Sequence, residues 1–207
     1  MRFTNYLFLA GLAAAAEIQA AQATFDGQPA GARPSGWTCG MTGSGAPKWQ
    51  IEADARATTP PNVLTQRGQA DFPWCIQEDE LAENGAVAVS FKPISGKKDQ
   101  AGGVVWRFKS PTNYYVARAN ALENNVSLYY VSQGTRHTIK YQPAPVARDV
   151  WHRLEVRFQG QRIQVLLDGK SYIDLFDRNI SGPGRVGVWT KADSITSFDD
   201  FQLKAND

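Results

Sequence analysis

From Trp49 to Leu203 hydrophobic and polar residues alternate with a period of two, in run after run, and each run closes in turn chemistry. The pattern predicts strands over roughly 49–55, 63–67, 87–92, 103–109, 114–120, 126–131, 135–141, 152–158, 162–167, 171–174, 186–191 and 196–203. Asn84-Gly85, Gln133-Gly134, Gln159-Gly160 and Asp168-Gly169 stand between them as tight-turn signals, because glycine accepts positive φ without a steric penalty. No later stretch keeps a helical period, although Ile76 to Glu83 predicts one short helical turn. About a dozen short strands in one domain make an all-β sandwich or barrel.

Alternation also assigns faces. Val126, Leu128 and Tyr130 make a core side that leaves Asn125, Ser127 and Tyr129 opposite. Tyr115, Ala117 and Ala119 lie across from Tyr114, Val116, Arg118 and Asn120, and Val186 and Val188 from Arg185, Gly187, Trp189 and Lys191. Arg107, between Trp106 and Phe108, points away from those rings if both are core. The second faces therefore mix flat rings with hydrogen-bonding groups. Saccharides are recognised by that mixture: C–H faces stack on rings, while amide, carboxylate and guanidinium groups take the hydroxyls. The expected ligand is a saccharide or glycoside on a concave sheet, held by Arg107, Arg118 and Lys191 as cations. Asn120 and Asn125 would serve as amides, and Tyr114, Tyr129 and Trp189 as rings.

The N-terminus changes the picture of where the chain acts. Arg2, an apolar run from Tyr6 to Ala16 and the small-x-small Ala21-Gln22-Ala23 read as a signal peptide over residues 1–23, giving a periplasmic or secreted protein. A membrane anchor needs roughly 20 apolar residues, and Glu17 and Gln19 come too soon for one. Residues 24–48 form a glycine- and proline-bearing entry segment, and 49–207 the β-domain. About 180 residues remain after cleavage, enough for one substantial core. The formal charge of +2 gives no basis for nucleic-acid binding. Cys39 and Cys75 each adjoin a tryptophan, and an exported chain meets an oxidising compartment, so a single bridge is expected, with two buried thiols as the alternative. Neither Cys-x-x-Cys nor His-Glu-x-x-His occurs, which removes zinc, thioredoxin-like and c-haem readings.

The segments Asp99-Gln100-Ala101-Gly102-Gly103-Val104-Val105-Trp106-Arg107 and Asn113-Tyr114-Tyr115-Val116-Ala117-Arg118 resemble the central pattern of concanavalin A-like, laminin G-like sandwiches. Trp151 to Val156, Val165 to Lys170, Gly184 to Trp189 and Phe198 to Phe201 extend the likeness. Within that superfamily the chain is most similar to the bacterial domain of unknown function associated with 3-keto-disaccharide hydrolases. The resemblance implies a jelly-roll of two antiparallel sheets that hosts lectins, adhesive modules and glycosidases alike. Two positions depart from the patterns. Asp199-Asp200 stands where the hydrolase-associated domain carries a basic, amide-rich last strand. Glu52-Ala53-Asp54-Ala55-Arg56-Ala57 lacks the final glutamate of the laminarinase-type Glu-x-Asp-x-x-Glu strand, so retaining hydrolysis by that motif is not expected.

The resemblance also implies an alternative chemistry. A 3-keto sugar would lose its C2 proton to a base and expel the glycosidic oxygen, with Glu123, Asp193 or His137 as the base and Arg107, Arg118 or Lys191 steadying the enolate. Calcium is a further expectation of laminin-like sandwiches, and Asp99, Asp193, Asp199 and Asp200 are its donors of interest. A structural or adhesive role without catalysis is the third reading.

Overall fold

The structure, a computed structural model, describes residues 19–206. Fifteen strands follow one another, with no helix among the described residues. They are β1 (Gln19–Ala23), β2 (Trp37–Ala46), β3 (Trp49–Ala53), β4 (Asn62–Gln66), β5 (Gln69–Ala82), β6 (Asn84–Ser95), β7 (Ala101–Ser110) and β8 (Asn113–Asn120). The series continues with β9 (Asn125–Ser132), β10 (Thr135–Pro143), β11 (His152–Gln159), β12 (Arg162–Leu167), β13 (Lys170–Phe176), β14 (Gly184–Trp189) and β15 (Ile195–Asn206). Two antiparallel sheets result. The seven-stranded sheet runs β10-β9-β8-β7-β14-β5-β2, and the eight-stranded sheet runs β13-β12-β11-β6-β15-β4-β3. β15 pairs with β6 along one side, while β4 takes the first part of its other side and β1 the last, Phe201 to Ala205.

The inner faces bury one core that includes Trp106, Tyr115, Leu128, Phe91, Phe158 and Phe198. Fully burying a side chain of this kind contributes about 1.5–3 kcal/mol. The alternation read from the chain holds here: Tyr115, Ala117 and Ala119 of β8, Val126 and Leu128 of β9, and Val186 and Val188 of β14 all join it. A second apolar cluster lies on the outer face of the seven-stranded sheet, built from Tyr114, Val116, Tyr129, Trp189, Trp74 and neighbours. Between β9 and β10, Gln133 and Gly134 both take positive φ, 51° and 78°, the geometry that a two-residue hairpin turn requires.

One expectation changes. Ile76 to Glu83 is not a helical turn but belongs almost wholly to β5, paired on both sides by β2 and β14. The entry segment contains β2, the edge strand of the seven-stranded sheet, and Cys39 and Cys75 face each other across the β2–β5 pair and are bridged. The first 18 residues of the expected leader lie outside the described residues; its last five form β1, whose Ala21 and Ala23 pack against the core.

Candidate functional site on the outer face of the seven-stranded sheet

Strand register lays one row of residues across six strands: Trp74, Trp189, Gly103, Arg118, Ser127 and Tyr141. Gly103 leaves the space between Trp189 and Arg118 clear; a Cβ there would sit 2.9 Å from the Ala117 carbonyl and 3.3 Å from the Trp189 ring. Asn120 and Asn125 pair in the neighbouring row, and Tyr114, Val131 and Arg136 in another.

A polar network occupies the Arg118 end of the row. Asp99, fully buried in the loop just before β7, accepts from Arg118 Nη1 at 2.9 Å, from Asn120 Nδ2 at 2.9 Å and from Lys191 Nζ at 2.9 Å. Arg118 Nη2 donates to Glu123 Oε2 at 2.5 Å, and Asn125 Nδ2 donates to the same oxygen at 2.8 Å and to the Tyr141 hydroxyl at 2.7 Å. Ser127 Oγ donates to Asn125 Oδ1 at 2.9 Å. A densely bonded network of this kind is rigid, so the exposed edges of Glu123, Lys191 and Tyr141 are presented in a set arrangement. Burial alone would raise the Glu123 carboxyl, but the Asn125 hydrogen bond and the Arg118 and Lys191 charges outweigh it and hold it below the ordinary glutamate value. Arg118 loses to burial and gains more from Asp99, Tyr129 and Glu123, so its charge is secured.

The other end of the row is aromatic. Trp189 stacks on half-buried Phe72 at 5.8 Å, and Phe108 lies between Trp74 (5.0 Å) and Tyr114 (5.5 Å). Arg136, from β10, spreads its guanidinium over Tyr129 at 4.3 Å, Phe72 at 4.9 Å and Trp189 at 6.0 Å. The rings named from the sequence are thereby roofed. Trp189 and Tyr114 are fully buried and Tyr129 is 4 % exposed, so the surface a ligand meets is Phe72, Arg136 and the half-exposed Tyr141.

Of the other site residues named from the sequence, Arg118, Asn120, Asn125, Glu123 and Lys191 come together as described, and the rest lie elsewhere. Arg107 sits in a β-bulge with φ 46°, which sends Trp106 inward and Phe108 outward. Its guanidinium donates to the carbonyls of Ile180, Glu83 and Gly160, a structural clamp four residues along β7 from Arg118's partner Gly103. His137 is exposed on the reverse side of β10, stacked on Tyr130 at 4.6 Å. Asp193 accepts the backbone N–H groups of Lys97, Lys98 and Asp99 at 2.8, 2.9 and 3.1 Å; burial opposes these bonds but they prevail and keep its carboxyl below the ordinary value. It thus steadies the loop that delivers Asp99.

The carboxylates proposed for calcium do not fit such a site. Asp99 faces two cations, Asp193 faces amide groups, Asp199 accepts from Thr59 N and Oγ1, and Asp200 faces Arg153 and Gln22. Among the described residues no three His, Cys, Asp or Glu side chains gather around one point.

Sequence reasoning missed Arg136, Phe72 and Tyr141 and read Asp99 only as a metal donor. Arg136 had a signal: counting back from the Gln133-Gly134 turn pairs it with Val131, on the Tyr129 face.

No protein-family model and no curated protein sequence matches the chain. Solved structures do. The carbohydrate-binding module CBM66 from Bacillus subtilis superposes with a TM-score of 0.65 at 19% identity, over 81% of this chain and 95% of that one. The β-glucanase of Bacillus licheniformis gives 0.58 at 12% identity, over 90% and 97%. The fold is the concanavalin A-like sandwich. A Bacillus subtilis protein of unknown function with a galectin-like fold also matches, with a TM-score of 0.60 at 13% identity, over 82% and 89%. At these identities the likeness is one of fold, and function must be argued from the site.

Proposed function

We infer that this domain binds a saccharide on the outer face of its seven-stranded sheet and does so without catalysis. The observation that carries the reading is the network around Arg118, which holds two carboxylates, two amides, a lysine and a tyrosine hydroxyl in fixed positions beside an aromatic floor. The exposed edges that this array fixes, on Glu123, Lys191 and Tyr141, offer a sugar oriented hydrogen bonds, with half-buried Phe72 and exposed Tyr141 as rings for its C–H faces. The carbohydrate-binding module and the glucanase among the fold neighbours support the ligand class.

A hydrolase acting on 3-keto-glycosides is the alternative. A general base works best with a pKa near the working pH. Glu123 and Asp193 are held below the ordinary carboxylate value, and His137 lies on the reverse face, so binding is favoured over turnover. Export to the periplasm or cell exterior is part of the reading; the Cys39–Cys75 bridge supports it, because disulfides persist in oxidising compartments.

Titration calorimetry against neutral and acidic oligosaccharides, with product analysis in the same samples, tests the reading. Binding weakened about 10-fold or more by Tyr141→Ala and Glu123→Gln, with melting temperature held, is the expected result. Product release from a 3-keto disaccharide, abolished by Glu123→Gln, would replace binding with catalysis, and silence across the whole set would overturn the saccharide reading.

A further inference from the structure

Charge on this face is uneven. Three cations, Arg118, Arg136 and Lys191, face two carboxylates, Asp99 and Glu123. Both carboxylates are already engaged by Arg118, with Lys191 and Asn120 on Asp99 and Asn125 on Glu123. Arg136 has no ion pair among the described residues; it rests on rings alone, and its Nη1 is buried without a partner. Arg118, 2 % exposed, keeps Nε unpartnered as well. The indole N–H groups of Trp74 and Trp189 are likewise unpartnered, so every unsatisfied buried atom of this cluster is a donor.

Resting on the saccharide-binding reading above, we propose that the ligand is an acidic saccharide, and that Arg136 receives its carboxylate. A neutral sugar brings hydroxyls that both donate and accept, and it leaves the surplus cation uncompensated. A carboxylate brings only acceptors and one negative charge. The planar guanidinium fork matches it bidentately, and charge-assisted hydrogen bonds are about twice as strong as neutral ones. Burial, with the neighbouring Arg118 charge, pushes Arg136 below the ordinary arginine value, which is the mark of a cation short of a partner. The aromatic floor under Arg136 adds a second use: drawn toward an anion, the guanidinium would uncover the Trp189 and Tyr129 faces for the sugar ring.

The test is calorimetry of the full chain with oligogalacturonate and oligomannuronate, each as the free acid and as the methyl ester of the same backbone, beside neutral β-glucan oligomers and a sulfated galactan oligomer. The free acid of one uronate should bind about 10- to 100-fold tighter than its ester, with an affinity that falls as salt rises. Arg136→Gln should abolish that preference at an unchanged melting temperature, and Arg136→Lys should keep part of it, having the charge but not the fork. Equal affinity for acid and ester, or an Arg136→Gln protein that keeps the preference, overturns the inference while leaving a saccharide-binding domain. Tighter binding of the sulfated oligomer overturns the carboxylate assignment. Silence across the panel overturns the inference and the saccharide reading together.

Discussion

Asp99→Asn is the most severe single test of the network. Asp99 is wholly buried and neutralises Arg118, whose side chain is 3 % exposed, and Lys191, at 27 %. Asparagine keeps the size but removes the charge and turns one acceptor into a donor that faces Arg118 together with either Lys191 or Asn120. Removing one partner of a buried ion pair costs about 3–5 kcal/mol, because the other charge stays buried and uncompensated. A domain of this size loses about 2–4 °C per kcal/mol, so the melting temperature should fall by about 6–20 °C. Urea denaturation should show the same loss with an unchanged slope.

The companion experiment separates charge from packing. Asp99→Leu combined with Arg118→Met removes both members of the pair, and buried pairs replaced by apolar groups of similar volume are often neutral in stability. The double variant should therefore recover at least half of what the single variant loses, while saccharide affinity is lost in both. A single-variant loss below about 1 kcal/mol, the range of exposed pairs, would refute the view that Asp99 anchors the site.

Three further outcomes follow from other parts of the structure. The Asp193 carboxyl has a folded pKa below its unfolded value, so its stabilisation is present above about pH 3.8 and is lost as pH falls through the lowered folded value. Asp193→Asn should flatten the acid limb of a stability-against-pH curve, and an unaltered limb would contradict the hydrogen bonds assigned to it. Reducing the Cys39–Cys75 bridge, whose ends are 36 residues apart, should cost about 2–4 kcal/mol, read as a lower urea midpoint in reductant and absent in a Cys39→Ala/Cys75→Ala variant. A chain beginning at Thr24 lacks β1, so it uncovers the Phe201 to Ala205 edge of β15 and loses the packing of Ala21 and Ala23. It should be less stable than one beginning at Gln19 by about 1–3 kcal/mol, and equal urea midpoints would mean that β1 contributes nothing.

Alternation made the faces of β8, β9 and β14 legible, because each carries a continuous period-two run buried on its inner side, where a shift of one residue would reverse every side chain. The same logic fails where the backbone breaks step. Trp106 and Phe108, two residues apart, belong to opposite faces because Arg107 occupies a bulge, and nothing in Val105-Trp106-Arg107-Phe108 announces a positive φ at an arginine. β2 escaped notice because Gly40, Gly43 and Gly45 erase its pattern, and the acidic run Glu78-Asp79-Glu80 gave the far end of β5 a helical look that pairing with β2 and β14 overrides. The site was half visible for a related reason. Arg118, Asn120 and Asn125 announce themselves as polar residues on strands with a buried reverse side, whereas Asp99 stands in the loop before β7, where an aspartate ordinarily means only loop chemistry. Its burial under two cations is a tertiary fact, created when Lys191 at the end of β14 meets Arg118 two strands away. The part of the site that decides charge is thus the part that local pattern conceals, and the unpaired Arg136, on an edge strand polar along most of its length, is the clearest case.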